Sequence, residues 1–382
     1  MKRVNEIDLN NKKVLIRCDF NVPIKDGVIL DDTRIVKSLE TIKYVLKYAS
    51  NVIIISHLGR IKTYEDKMKN SLGIVCERLS NLLSEKVKFC TYEEDINSCI
   101  NNNKIIMLEN TRFFDLDNNK ESGADDELTK FYASLADIYV FDAFGVSHRE
   151  AASTMVSKYL PSAVGFLVCN EIDKLSYLFN PDRPFTIIFG GSKVSDKIGI
   201  ISKLIDKSDS IIVVGAMAYT FLKAKGIDVG NSLVEDEYVP YCLDLIRKYG
   251  DKIILPIDIY EADNINSTDK TLVDINNITK MGLDIGPKTV DLIKDNIIKN
   301  KCIFVNGPAG VYENSTFEYG TKELFKILEN IDAKVIVGGG DSVSAALKYS
   351  SENKFYHIST GGGAALEFLE GRDLPAIKNI GE

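Results

Sequence analysis

Two glycines followed by two lysines mark the part of this sequence that is best suited to chemistry. Gly190 and Gly191 separate an apolar run from a segment whose apolar residues recur at helical spacing as far as Ile205. Glycine lets the backbone lie close to a ligand, and a helix start directs free N–H groups at it. Lys193 and Lys197 stand four residues apart, so both ammonium groups can reach one side of that ligand. The segment predicts an anion site, and a glycine turn with two solvated lysines is the alternative.

Basic side chains follow several predicted strands in the first half of the chain. They are His57, Arg60, Arg112, His148 and Arg149, with Arg34 close behind the acidic pair Asp31 and Asp32. Guanidinium groups fork onto phosphate and carboxylate oxygens, so such a basic rim suits a small substrate with several negative charges. The alternatives are surface arginines and core histidines, and a core position fits His357, inside a predicted strand, better than it fits His57.

Glycine dominates the strand ends of the second half. The glycine-rich segments are 190–191, 215–217, 306–310, 338–342 and 359–363. Bare backbone amides and helix N-termini suit phosphates, so a nucleotide is the expected ligand. The chain contains no GxxxxGK[ST] and no GxGxxG after a strand, which argues against a P-loop and a dinucleotide fold. Asp341 could hold Mg²⁺ or simply cap a helix, and Glu313 could accept hydrogen bonds from a ribose.

A basic half opposite a nucleotide half predicts phosphoryl transfer across a cleft. This chemistry depends on positioning and charge neutralisation more than on covalent participation by the protein. An acceptor that is already an anion needs no general base. The absence of a plausible Cys-His or Ser-His pairing agrees with that reasoning.

These residues must be positioned by an alternation of strands and helices. Apolar runs that predict strands are 14–16, 52–55, 87–89, 105–108, 138–141, 187–189, 211–214, 253–255, 303–305, 335–337 and 356–358. The amphipathic segments between them are 34–49, 72–84, 127–136, 238–249 and 320–330. This pattern predicts an α/β protein with two doubly wound, Rossmann-like parallel sheets, joined through 159–165 and a bridging helix over 169–179. Ligands would bind beyond the carboxyl ends of the strands.

Length and composition restrict the class of protein. At 382 residues, two domains are expected, and 45% hydrophobic with 27% charged residues is typical of a folded globular chain. The net charge of −8 argues against general binding to nucleic acid or anionic membranes. Seven cysteines without a CxxC pair suit reduced buried thiols better than disulfides or zinc. Without a signal-like N-terminus or a spanning apolar run, we expect a cytoplasmic protein.

Ten segments of the chain resemble the phosphoglycerate kinase family. They lie in the family's order at 17–23, 31–35, 56–60, 109–113, 142–149, 190–197, 281–287, 306–308, 338–342 and 359–364. The resemblance covers nearly the whole chain. It implies a glycolytic enzyme that reversibly transfers a phosphoryl group between ATP and 3-phosphoglycerate, in line and after hinge closure. The acceptor is then a carboxylate, which agrees with the missing general base.

The resemblance also implies residue roles. The phosphoglycerate would be bound by Asp19, Phe20, Asn21, Arg34, His57, Leu58, Gly59, Arg60, Arg112 and Arg149. The nucleotide would be bound by Lys197, Gly282, Glu313, Gly339, Gly340, Asp341 and Ser342, with Asp341 also on Mg²⁺. The catalytic set would be Arg34, Lys193, Lys197, Gly340 and Gly362. It further implies a monomer acting on small molecules, with 1–168 and the tail 372–382 as the phosphoglycerate domain and 169–371 as the nucleotide domain.

Three positions depart from the family's pattern: Ala216 replaces a glycine, Ile61 a proline and Ala309 a common methionine. None is charged, so we expect activity with an altered nucleotide affinity at most. A rival interpretation is a two-domain binding protein that closes on an anion without chemistry, but it leaves Lys193, Lys197 and Asp341 unexplained. A dehydrogenase is a weaker rival because its fingerprint is missing.

Overall fold

The computed structural model describes residues 1–378 and 380, except for the side chain of residue 117. The described strands are β1 (Lys13–Cys18), β2 (Ile24–Lys25), β3 (Val28–Ile29), β4 (Asn51–Ile55), β5 (Lys88–Cys90), β6 (Ile105–Leu108), β7 (Ile138–Asp142), β8 (Ser162–Val164), β9 (Phe185–Phe189), β10 (Ser210–Val213), β11 (Ile253–Ile254), β12 (Asp258–Ala262), β13 (Thr271–Asp274), β14 (Met281–Ile285), β15 (Cys302–Asn306), β16 (Lys334–Val337) and β17 (His357–Ile358).

The described α-helices lie mostly between the strands. They are α1 (Thr33–Tyr48), α2 (Tyr64–Lys69), α3 (Gly73–Leu83), α4 (Ile96–Asn102), α5 (Asp115–Asn118), α6 (Asp126–Ser134), α7 (Phe166–Ser176), α8 (Ile198–Leu204), α9 (Met217–Ala224), α10 (Val239–Tyr249), α11 (Pro287–Ile297), α12 (Tyr319–Leu328), α13 (Gly340–Tyr349), α14 (Gly363–Leu369) and α15 (Pro375–Lys378). Among these residues no helix combines the length and the apolar character that crossing a membrane requires.

Two six-stranded parallel sheets form the framework, and they confirm the predicted fold class. Their orders are β5-β6-β4-β1-β7-β8 and β11-β10-β9-β15-β16-β17. Each of the eleven apolar runs contributes a strand to one of these sheets. Strands buried on both faces read as continuous apolar runs, which is why the sequence located them.

In each sheet the strand order reverses beside the first strand. β4 pairs with one side of β1, and β7, which comes later in the chain, pairs with the other side. The same reversal separates β10 from β15 on either side of β9. Register brings the carboxyl ends level, since Cys18 lies opposite Asp142 and Phe189 opposite Asn306. Such reversals open crevices in which ligands bind.

Several elements were not expected from the sequence. β8 lies within 159–165, which we expected to be a connection, and it extends the first sheet by pairing with β7. β12, β13 and β14 form a separate antiparallel sheet, and β2 and β3 form a short hairpin. Their two to five residues carry too weak a period for a sequence pattern to reveal.

The expected bridging helix over 169–179 begins earlier, because its start is capped from distant parts of the chain. The helix is α7, followed by a 3₁₀ turn over Tyr177–Phe179. Asp142 Oδ1 accepts hydrogen bonds from Leu167 N (3.1 Å) and Val168 N (3.3 Å), and Thr41 Oγ1 accepts one from Phe166 N (2.8 Å). Burial raises the pKa of the Asp142 carboxyl to about 7, against these hydrogen bonds.

The chain divides into two compact units. Unit 1 comprises Met1–Asp173 with the described residues from Arg372 onward, and unit 2 comprises Lys174–Gly371. The division falls inside α7, as does the predicted one after residue 168. Ala376 N donates to Ser147 O (3.1 Å), which ties α15 to unit 1. The predicted tail runs to 382, and its residues 379, 381 and 382 lie outside the described residues.

Candidate active site

Arg17, the penultimate residue of β1, anchors the basic cluster of unit 1. Its side chain is buried, and it donates from Nε to Ser153 Oγ (2.8 Å), from Nη1 to the Cys18 carbonyl and from Nη2 to His57 Nδ1 (3.1 Å). Ser153 Oγ in turn donates to the buried carboxylate of Glu121. Neither Arg17 nor Glu121 was among the predicted site residues. A buried cation at a strand end was a signal for Arg17, whereas Glu121 lies far away in sequence.

His57 is neutral, and its hydrogen bonds decide which ring nitrogen carries the proton. Burial first, and then the positive charges of Arg17 and Arg112, lower its pKa to about 3, although Asp19 opposes them. Because Nδ1 accepts the hydrogen bond from Arg17, the proton resides on Nε2. His57 is therefore both a buried histidine and a pre-set hydrogen-bond donor beside a cavity.

Asp19 and Arg34 form an ion pair at the start of α1. Arg34 Nη1 donates to Asp19 Oδ2 at 2.6 Å, and 36% of the Arg34 side chain is exposed. Burial would raise the pKa of the Asp19 carboxyl, but the positive charge of Arg34, with Arg17 acting in the same direction, outweighs burial and holds that pKa below its usual range. As expected from the sequence, Arg34 lies in the first turn of the helix, where its guanidinium is accessible.

The neighbouring loops are held by hydrogen bonds between side chains and the backbone of Gly59. Asn21 Oδ1 accepts from Gly59 N (2.9 Å), and the Arg112 guanidinium donates to the Gly59 carbonyl. Phe20 and Leu58, which are predicted to contact the substrate, lie in the same region. Both side chains are buried in the apolar core of unit 1, so only their backbones can face a ligand.

Two adjoining cavities collect the basic side chains. The first, about 230 Å³, is lined by Arg17, His57, Arg112 and Arg149 together with Glu121. The second, about 490 Å³, adds Arg60 to Arg112 and Arg149. Burial, and then Arg17, lowers the pKa of the Arg112 guanidinium, because like charges are gathered here. A polyanion would relieve that repulsion.

In unit 2, three glycine-rich loops pack against each other at the strand reversal. Gly190 N donates to Asn306 O (3.0 Å), Gly191 N to Pro308 O (2.9 Å) and Gly215 N to Ala309 O (3.2 Å). A Cβ on Gly190 would collide with the Pro308 carbonyl, so this glycine is required by loop packing. Gly191 has φ +88° and open space at its Cβ position, which leaves room for a ligand.

The helix after Gly191 begins later than the sequence indicated. A 3₁₀ turn spans Ser195–Lys197, and α8 starts at Ile198, so Lys193 precedes both the turn and the helix. Burial lowers the pKa of the Lys197 ammonium, against the attraction of Asp196 and Asp341. Lys197 is thus half-buried beside the predicted Mg²⁺ ligand, whereas Lys193 is exposed.

Glu235 holds this lysine loop in place, and sequence reasoning missed it. Its Oε2 accepts from Val194 N (2.5 Å) and Ser195 N (3.1 Å), and its Oε1 accepts from Ser195 Oγ (2.6 Å). The loop amides that we expected to face a ligand are therefore satisfied by a carboxylate. Glu235 lies some forty residues downstream, at a spacing that carries no local signal.

Two helices begin at the predicted glycines. Gly339 (φ +89°) and Gly362 (φ +52°) are the N-caps of α13 and α14, and neither supplies a side-chain cap. The first amides of α13 are thus available to an anion, whereas at the start of α14 the amide of Ala364 donates to Gly361 O (3.0 Å). Asp341 is the second residue of α13, which rules out the alternative that it is the N-cap. The buried hydroxyl of Ser342 accepts a hydrogen bond from Gly307 N, which leaves mainly the backbone of Ser342 for phosphate.

A pocket of about 300 Å³ lies between these loops. Its lining includes Gly282, Ala216, Glu313 and Asp341, together with apolar side chains such as Leu283. The Tyr219 ring occupies the space that a Cβ on Gly282 would need, so the packing of Tyr219 requires glycine at this position. Such an apolar slot with acidic residues at its exposed mouth suits a nucleoside.

The three positions that depart from the family's pattern lie in different parts of the structure, and so does His357. Ala216 lines this pocket and Ile61 lines the larger cavity of unit 1, but Ala309 is buried in the core of unit 2. Ala309 therefore affects packing rather than nucleotide contact. His357 is a buried strand residue, as expected.

Comparisons with known proteins agree over the whole chain. The sequence profile described as Phosphoglycerate kinase matches residues 4–372. A phosphoglycerate kinase of Fusobacterium nucleatum is 49% identical, with 99% of each chain covered, and one of Enterococcus faecalis is 47% identical, with 100% of this chain and 99% of the relative covered. The solved structure of phosphoglycerate kinase from Coxiella burnetii superposes with a TM-score of 0.88 at 37% identity, covering 99% of this chain and 98% of that one. The structure from Pyrococcus horikoshii OT3 gives 0.83 at 28% identity, covering 100% and 98%.

Proposed function

The chain belongs to the phosphoglycerate kinase family, and from this premise we propose how its residues bind the two substrates and transfer the phosphoryl group. It is an enzyme of glycolysis, a phosphotransferase with a carboxyl group as acceptor. It reversibly transfers a phosphoryl group between ATP and 3-phosphoglycerate. Because that acceptor is ionised at neutral pH, the reaction needs no general base.

The phosphoglycerate binds at the basic cavities of unit 1. The observation that carries this assignment is that three arginines and one neutral histidine line a single cavity. Arg112, Arg149 and Arg60 neutralise the substrate's phosphate, and His57 donates from Nε2. The guanidinium of Arg17 is already engaged in three hydrogen bonds. It therefore acts on the substrate through its positive charge, and it fixes the tautomer of His57 by donating to Nδ1.

The polar residues beside β1 orient the same substrate. Asp19 and Asn21 offer oxygen acceptors for its hydroxyl group, while Gly59, Phe20 and Leu58 contribute backbone groups only. The ion pair with Arg34 keeps Asp19 ionised and therefore able to accept a hydrogen bond.

The nucleotide binds in the pocket of unit 2. Its base lies against Gly282 and the apolar wall, Glu313 accepts from the ribose, and the phosphates meet Lys197 and the amides of residues 339–342. The half-buried ammonium of Lys197 favours this assignment, because a desolvated cation gains most from an anionic partner.

The donor set at Asp341 fits Mg²⁺ delivered with the nucleotide. Mg²⁺ is usually bound by one or two carboxylates, with phosphate oxygens and water completing the shell. Asp341 offers an exposed carboxylate that lines the nucleotide pocket. When bound, the ion would supply charge neutralisation on the phosphate oxygens, with Asp341 as its protein ligand.

Transfer is in line, with Arg34 and the helix starts at Gly340 and Gly362 meeting the charge on the moving group. Lys193 and Lys197 neutralise the nucleotide phosphates both before and after the transfer. Since the substrates bind to different units, we propose that both must be present before hinge closure occurs. We also propose that the enzyme is a cytoplasmic monomer that acts on small molecules and not on nucleic acid.

Measuring ADP released from ATP and 3-phosphoglycerate with Mg²⁺ present tests the activity. Asp341→Asn should raise the Mg²⁺ concentration needed for half-maximal rate by about tenfold, corresponding to ~1.4 kcal/mol. Small-angle scattering should show the smallest radius of gyration with both ligands bound. Release of no ADP would leave only an anion-binding protein, and an unchanged radius in every state would exclude hinge closure.

A further inference from the structure

Two cysteines and a glutamate converge at the edge of unit 1, away from the residues assigned above. Cys90 Sγ and Cys99 Sγ are 2.8 Å apart, and Glu94 Oε1 lies 3.9 Å from Cys99 Sγ. The three donor atoms all lie within 4.8 Å of one another. Both cysteines are free thiols and buried, while Glu94 is exposed.

The segment that carries these donors is held by its own hydrogen bonds. Cys90 ends β5, and Cys99 lies in α4, whose first turn is capped by Asp95 through Ser98 N (3.2 Å). Glu94 Oε2 accepts from Thr91 N (2.9 Å), which directs Oε1 toward the thiols. The three donors are thus positioned by a single stretch of ten residues, independently of the active site.

We propose that Cys90, Glu94 and Cys99 bind a soft divalent cation of the zinc class. Thiolate ligands select zinc-class ions over Mg²⁺, and a carboxylate oxygen is an accepted third ligand. Binding displaces one proton from each thiol, and water completes the tetrahedron on the exposed side of Glu94. Two Zn–S bonds of about 2.3 Å place sulfurs roughly 3.8 Å apart, so the two thiol side chains must rotate apart slightly.

Lys88 supports the site as an outer partner. Its Nζ donates to Glu94 Oε1 at 2.6 Å, a hydrogen bond that can orient the carboxylate while the ion binds. Two thiolates and one carboxylate around a divalent ion leave a net charge of −1, which the ammonium of Lys88 balances.

The convergence of a third donor distinguishes this site from a cysteine pair made for a disulfide. A disulfide needs only the two sulfurs, whereas a carboxylate oriented toward them completes a metal ligand set. The position also means that a bound ion would link two elements of the fold. Glu109 N donates to Cys90 O (3.0 Å), and Tyr92 Oη donates to Glu109 O (2.9 Å), so a bound ion would fasten β5 and α4 beside the neighbouring strand.

Titration of the reduced, metal-free protein with Co²⁺ tests the proposal. We expect one equivalent to produce the thiolate-to-cobalt charge-transfer band and tetrahedral ligand-field bands, and Zn²⁺ to abolish both. Cys90→Ser and Cys99→Ser should each weaken Zn²⁺ binding by more than about a hundredfold, since even outer-shell changes cost about 10–100-fold. Glu94→Gln, at an exposed position that does not threaten folding, should weaken it by at least about tenfold.

Cys76→Ser is the matched control, because Cys76 is also buried in unit 1 but donates to Val87 O (3.6 Å). It should leave Zn²⁺ affinity unchanged. The proposal is overturned if no tetrahedral spectrum appears at one equivalent, or if the spectrum survives in Cys90→Ser. It is equally overturned if the purified protein shows five reactive thiols rather than seven after unfolding, which would indicate a disulfide.

Discussion

Replacing Arg34 with alanine removes the guanidinium that pairs with Asp19 at 2.6 Å. An arginine that meets charge only in the transition state is worth about 10³–10⁵ in kcat, or ~4–7 kcal/mol. The lower end applies here, because 36% of the Arg34 side chain is exposed and water screens its charge. We therefore expect kcat to fall by about a thousandfold.

The KM for phosphoglycerate should change much less. The cavity that binds this substrate keeps Arg112, Arg149 and His57 in the variant. A change below about fivefold, or ~1 kcal/mol, is expected. Arg34→Lys should recover only about tenfold in kcat, because an ammonium lacks the planar fork.

Steady-state kinetics in both directions measure these quantities, and Arg78→Ala is the matched control. Arg78 also pairs with an aspartate near the start of α1, Asp32, at 2.6 Å, but it lines neither basic cavity. Its loss should change kcat less than about twofold. A large rise in KM with kcat preserved would make Arg34 a binding residue, and an equal loss in Arg78→Ala would attribute the effect to helix placement.

Three further predictions concern single residues. Lys197→Ala should weaken ADP binding by about 10–150-fold in calorimetry, the equivalent of one charge-assisted hydrogen bond (~1.5–3 kcal/mol), while Lys203→Ala on the exposed face of α8 should not. Glu235→Gln should weaken ADP binding by about 5–10-fold, because an amide oxygen accepts fewer of the hydrogen bonds from Val194 N and Ser195; equal affinity would show that the loop holds its shape without the carboxylate. The pKa of His57 is lowered to about 3 in the folded protein, so below pH ~6.5 the unfolded chain binds a proton that the folded chain does not. As the pH falls from ~6.5 to about 3, the unfolding free energy should therefore drop by up to ~1.4 kcal/mol per pH unit. Denaturant titrations of wild type and His57→Gln should diverge across that window, and parallel curves would contradict the neutral assignment.

The sequence determined the architecture because its signals are local. Each buried parallel strand is a continuous apolar run, and the chemistry follows each strand directly, so both could be read without distant contacts. Arg34 at the start of α1 and Asp341 in α13 were placed in this way, whereas the role of Gly362 at the start of α14 came from the family resemblance.

The tertiary structure decided which of these groups meet and what protonation states they hold. His57 is neutral because β1 places Arg17 against its Nδ1 in a buried position, and Asp19 is ionised because Arg34 reaches it. Hydrogen-bonded pairs of this kind join residues separated by any number of positions, so no spacing rule reveals them.

The same reason explains what was missed. Glu235 caps the lysine loop from some forty residues away, and Cys90 meets Cys99 only because a strand and a helix fold back on each other. The antiparallel sheet of β12, β13 and β14 depends on pairing between short segments with little hydrophobic period of their own. A pattern along one segment reports how that segment is buried, but the partner of a polar or charged group is set by the register and packing of the whole unit.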